Sequence, residues 1–90
     1  MPDKMLVIVL AGKNDIDRAK QGLVFAKTVM RMKLLSDVRV LFFGRGVELL
    51  DPQGEHYSEV RDMLSEFRNL KGEVSACISN VHKYGLDEKL

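Results

Sequence analysis

The chain has 90 residues, one cysteine, and 14 basic against 13 acidic residues, for a formal net charge of +1. That length bounds it to a single domain with a thin core, burying about 60–65% of its unfolded surface; one thiol excludes an internal disulfide and fits a reducing, cytoplasmic setting. The balanced charge argues against a dedicated nucleic-acid binder, and the most apolar stretch, Met5–Ala11, is too short to span a bilayer.

Met5–Leu10 is a continuous apolar run closed by Gly12. It reads as a strand covered on both faces, as in a parallel sheet. Lys13-Asn14-Asp15 follows as a turn, with Asn14 or Asp15 as the N-cap of a long helix over 16–34. Ile16, Ala19, Leu23, Ala26 and Met30 step by three and four along one face of that helix. Phe25, Val29 and Met32 form a second apolar line beside it. The stripe is wider than one packing face requires, which points to a second partner, such as another subunit.

Ser36-Asp37 breaks the pattern, and a second apolar strand is predicted over 38–43. Gly44-Arg45-Gly46 closes it and opens a short helical segment over 47–50. Asp51-Pro52-Gln53-Gly54 is a loop by composition. A second long helix is predicted over 55–70, with Tyr57, Val60, Leu64 and Phe67 as its apolar stripe and Gly72 as the C′ residue that ends it. The third strand spans 73–78 and ends at Cys77-Ile78. A further helix starts at Ser79 or Asn80, reaches about Lys83 and stops at Gly85, with another turn beginning over 86–90.

The order β-α-β-α-α-β-α predicts an α/β domain with a parallel sheet and right-handed crossovers. Three strands make a narrow sheet, whose missing edge a neighbouring subunit could supply. In such sheets ligands bind beyond the carboxyl ends of the strands. That rim would gather Gly12, Lys13 and Asn14 from the first strand, Gly44, Arg45 and Gly46 from the second, and Cys77, Ser79 and Asn80 from the third. Lys13, Arg45 and a helix N-terminus each favour thiolate over thiol, and equally a persulfide or a small anion. The plainer alternatives are that Cys77 packs under a helix and that Lys13 and Arg45 are solvated loop charges. Gly44-x-Gly46 lacks the third glycine of a dinucleotide fingerprint. His56 and His82 have no ligand-like spacing with the cysteine, so neither metal nor cofactor is expected.

Three segments carry a family resemblance: Met5–Leu10; Val38–Leu50, which includes Gly44-Arg45-Gly46; and Gly72–Asn80 continuing through Tyr84–Leu90. Together they resemble the DsrE/DsrF-like family of small α/β proteins. The sharper part of the likeness is a strand ending in cysteine, a short helix, then a glycine and an acidic amphipathic turn. The resemblance implies a three-layer sandwich with a mostly parallel sheet, a single domain over 1–90 lacking the family's last strand, and a homo-oligomer, trimer or hexamer. It also implies a sulfur-relay role in which Cys77 accepts a persulfide from a donor protein and passes it to an acceptor. Two other functions fit the same residues: a non-catalytic module for a small anion or nucleotide, and an oligomeric interaction subunit without chemistry.

Overall fold

The computed structural model describes residues 4–86. Strands β1 (Lys4–Val9), β2 (Asp37–Phe42) and β3 (Glu73–Ala76) form one parallel sheet in the order β1-β2-β3. The α-helices are α1 (Ile16–Arg31), α2 (Tyr57–Asn69) and α3 (Ile78–Lys83). A 3-10 turn at Lys13–Asp15 precedes α1, and a 3-10 helix at Gly44–Leu50 follows β2. The element order and the parallel pairing are those the sequence predicts. The short helix after β2 takes the tighter 3-10 form and begins at Gly44, three residues before the segment read from its apolar residues.

The core lies between the sheet and one helical layer. Val38, Val40 and Phe42 on β2 are fully buried. Ala19, Leu23, Ala26 and Val29 of α1 and Val60, Leu64 and Phe67 of α2 pack over them. The chain steps one way across the sheet, from β1 to β2 to β3. Crossovers of one hand then leave both long helices on the same face, and α1 lies against β1 and β2 while α2 lies against β3 and α1. Lys20 pairs with Glu59 across the two helices, and seven residues on Lys27 pairs with Glu66 at 3.1 Å.

The opposite face of the sheet is bare among the described residues. Leu6 and Ile8 are 54% and 50% exposed, and Phe43 beyond the end of β2 is 45% exposed. Met5, Val7 and Val9 face the helices instead. Coverage of Met5–Leu10 on both sides is expected from its unbroken apolar run; among the described residues only the Met5, Val7 and Val9 side is covered. The described residues build two of the three expected layers.

All three helices end in the same way. After α1, Lys33 adopts φ 57° and the Leu34 N–H turns back to the Val29 carbonyl at 3.1 Å. This stops the helix three residues short of Leu34. After α2 it is Lys71, at φ 78°, that takes the left-handed position expected of Gly72. Gly72 comes one residue later, where its N–H reaches the Phe67 carbonyl at 3.0 Å and any Cβ would run into the Phe67 ring. After α3, Gly85 turns at φ 67°, and the Leu86 N–H bonds Val81 at 2.9 Å while its side chain enters the core. The turn read beyond Leu86 falls on residues 87–90, outside the described residues.

Candidate functional site

Cys77 stands between β3 and α3, as the N-cap residue of the helix. Its N–H donates to the Phe42 carbonyl at 2.9 Å, extending the β2–β3 ladder by one bond, and its carbonyl accepts the Val81 N–H at 2.9 Å, which is the first bond of α3. The backbone is thus held from both sides. Its φ of −69° and ψ of 117° continue the extended strand. Side chains alternate along a strand, so the thiol falls on the side of Ser75, toward the bare face. Cys77 is half-buried, and its neighbour Ile78 is 81% exposed. Ser79 is exposed in the first turn of α3.

Two of the rim residues meet directly. The Gly44 N–H donates to Asn80 Oδ1 at 2.9 Å. Gly44 turns the chain at φ 57° as β2 ends, a conformation glycine adopts without strain. The side-chain oxygen of Asn80 is therefore engaged in joining α3 to the end of β2. Gly46 is buried, with its backbone against the Val9 carbonyl, where a Cβ would not fit. Its N–H is already given to the Phe43 carbonyl at 3.0 Å. The second glycine of Gly44-x-Gly46 thus serves a close approach between the 3-10 helix and β1.

The first strand's contribution lies elsewhere. Gly12, Asn14 and Arg45 line a cavity of about 420 Å³ that runs along the free edge of β1 and under the first turns of α1, where Arg18, Ala19 and Gly22 close it. Cys77, Gly44, Ser79 and Asn80 are not part of that lining. Strand order explains the separation: β2 lies between β1 and β3, and adjacent strands are about 4.8 Å apart. Lys13 points its backbone N–H at Glu48 Oε1 (3.3 Å), and Arg45 Nη2 lies 3.6 Å from Glu48 Oε2. Glu48 is absent from a reading based on strand ends. Its side chain is only 13% exposed, and it offsets the positive charge of Arg45. The spacing of Arg45 and Glu48, three apart on one helical segment, is the signal that identifies the pair in the sequence.

His82 is exposed on α3. His56 lies at the start of α2, 3.2 Å from Glu55. Among the described residues, no three His, Cys, Asp or Glu side chains gather as a metal ion would need. No described helix is long and apolar enough to cross a membrane. Glu59 is held below its ordinary carboxylate value first by its hydrogen bond to Lys20 and then by the charge of that ammonium, with His56 adding less.

Compared with known proteins, the sequence profile of the DsrE/DsrF-like family matches residues 3–90. No curated protein sequence matches the chain. Among solved structures, it is similar to a conserved protein of unknown function from Bacteroides thetaiotaomicron, with a TM-score of 0.77 at 14% identity. That match covers 96% of this chain and 70% of the other. At such identity the likeness shows the fold.

Proposed function

The chain belongs to the DsrE/DsrF-like family, and from that premise we propose that it is a sulfur-relay protein carrying sulfane sulfur on Cys77. The observation that supports this reading is the position of the thiol: half-buried, at the carboxyl end of a parallel strand, at the start of a helix. A thiol sealed among aliphatic side chains would be inert.

The chemistry is thiol exchange. The Cys77 thiolate attacks the outer sulfur of a donor persulfide. A new S–S bond forms at Cys77, the donor's S–S bond breaks, and the donor leaves as a thiolate. An acceptor thiolate then attacks the terminal sulfur and Cys77 leaves in turn, so no external oxidant or reductant is consumed. In this proposal Gly44, Ser79 and Asn80 frame the cysteine, while Gly46 packs against β1 and takes no part there. Asn14 and Arg45 line the separate cavity on the β1 side, where Arg45 is paired with Glu48 and the Lys13 N–H meets the same carboxylate, so in this proposal they lie outside the immediate surroundings of the thiol. The relay operates in a reducing compartment such as the cytoplasm, between a donor and an acceptor protein.

Mass spectrometry of the intact protein after incubation with a small persulfide donor tests the reading. One added sulfur, lost on treatment with a thiol reductant and absent from Cys77→Ser, is the expected result. Native protein that gains no sulfur on Cys77 rejects the relay.

A further inference from the structure

We propose that Glu48 is a positioning residue for Cys77. Its carboxylate fastens the 3-10 helix at Gly44–Leu50 to the turn before α1, and that helix in turn holds α3, and the thiol with it, through the Gly44–Asn80 bond. The proposal rests on the reading of Cys77 as the sulfur-bearing thiol, and alkylation of that thiol tests the placement apart from the relay.

The 3-10 helix itself is the first observation. It has seven residues, where runs beyond about three or four are uncommon because their hydrogen bonds are poorly aligned. Side chains three apart on such a helix stack in one line, which gives this one three lines. Gly46 and Leu49 form the first: Gly46 has its backbone against the Val9 carbonyl, and Leu49 is buried. Gly44 and Val47 form the second: Val47 is buried, and the Gly44 N–H goes to Asn80 Oδ1 at 2.9 Å. Arg45 and Glu48 form the third, and neither belongs to the buried apolar core. Among the described residues this line is held by Glu48 alone, whose Oε1 accepts the Lys13 N–H at 3.3 Å. The helix is thus fastened to β1, to α3 and to the turn before α1.

The second observation is how closely Glu48 is enclosed. Its side chain is 13% exposed, against 54% for its partner Arg45. Gly12 is buried beside it, and a Cβ at Gly12 would fall on Glu48 Oε1 and on the Arg45 carbonyl. The chain therefore leaves out a side chain where this carboxylate lies. Taking a carboxylate out of water is costly unless it is bonded. A residue needed only to offset the charge of Arg45 could do so from solvent.

The third observation is the short route from this helix to the thiol. The Phe42 carbonyl accepts the Cys77 N–H at 2.9 Å, and Gly44, two residues on, gives its N–H to Asn80. The end of β2 therefore grips the chain on both sides of the bend between β3 and α3. The first grip belongs to the sheet ladder and does not depend on the 3-10 helix. The second does: a shift of that helix carries the Gly44 amide away from Asn80 and lets α3 pivot about Cys77. Attack at sulfur requires the reacting atoms to be aligned, and a pivoting α3 spreads the thiol over unproductive orientations.

Rates of Cys77 modification decide the matter, measured by intact mass for sulfur loading from glutathione persulfide and for alkylation by iodoacetamide. Glu48→Ala should slow both by about threefold to tenfold, the rate equivalent of one lost hydrogen bond, with an unchanged circular dichroism spectrum. Glu48→Asp, whose shorter side chain withdraws the carboxylate from Lys13, should slow them in the same way and stands in if the alanine variant does not fold. Glu48→Gln keeps an acceptor for the Lys13 N–H and should restore most of the rate. Because Glu48 acts through Asn80, the Glu48→Ala, Asn80→Ala double variant should be no slower than the slower single variant, whereas two independent losses would multiply. Native rates in the alanine or aspartate variant, a glutamine variant as slow as either, or losses that multiply would each overturn the proposal. Native protein that is alkylated but gains no sulfur rejects the relay and leaves the alkylation rates to decide the role of Glu48.

Discussion

The amide of Gly44 and the side-chain oxygen of Asn80 are joined at 2.9 Å across 36 residues of sequence. This bond ties the turn after the central strand to the helix that follows Cys77. Without it, the Gly44 N–H would be left unsatisfied in a partly buried place. Asn80→Ala should therefore destabilise the protein by about 1 kcal/mol, read from the midpoint of a urea titration. Because α3 would be less firmly placed, the rate of sulfur loading on Cys77 should fall as well. Unchanged stability would mean that water replaces the side chain at no cost.

Lys33 and Lys71 occupy left-handed positions that glycine holds more easily. Lys33→Gly and Lys71→Gly should each raise stability by about 0.5–1 kcal/mol, after the extra freedom glycine has in the unfolded chain is set against the relieved strain. Gly72→Ala should do the opposite, because the added methyl meets the Phe67 ring, a buried core residue. The three variants, compared in one denaturant series, separate the left-handed position from its neighbour. Stabilisation by Gly72→Ala would contradict this assignment of the helix end.

Gly46→Ala should be destabilising by about 1–3 kcal/mol, since its methyl would press on the Val9 carbonyl and push the 3-10 helix away from β1. Thermal unfolding gives the measure. A variant as stable as the native protein would show that this segment moves freely.

The depressed titration of Glu59 gives a pH dependence. A carboxylate whose folded value lies below its unfolded value stabilises the fold above the unfolded value. It loses that contribution as pH falls through the folded one. The pairing of α1 with α2 through Lys20 should thus weaken below the ordinary carboxylate range, near 4.5. Glu59 is exposed, so the effect is small. Glu59→Gln should flatten the acid limb of the stability curve relative to native protein. An acid limb of the same slope would assign it to other carboxylates.

Most of the fold is legible in the residues. The apolar runs at Met5, Val38 and Val74 locate the strands, and the spacing of Val60, Leu64 and Phe67 gives α2 its buried face. What periodicity does not encode is the far side of a strand. Leu6 and Ile8 are as apolar as Val7 and Val9, yet they face outward. The site is legible in part. Gly44 and Asn80 meet, but Arg45 and Asn14 gather round a cavity on the other side of the central strand, because strand order is a property of pairing and leaves no mark in a single chain. The role of Glu48 is legible in part: its pairing with Arg45 follows from their spacing on one 3-10 helix, whereas its contact with the Lys13 N–H comes from a separate segment and leaves no local mark.

The six residues of α3 are too few to hold a helical shape alone. Their order is borrowed from two moorings, the Asn80 side chain near one end and the buried Leu86 just past the other. Slip either one and the whole bracket unwinds, with the sulfhydryl at its hinge. Accordingly, loosening either mooring disturbs the surroundings of the Cys77 thiol before it disturbs the pairing of the sheet.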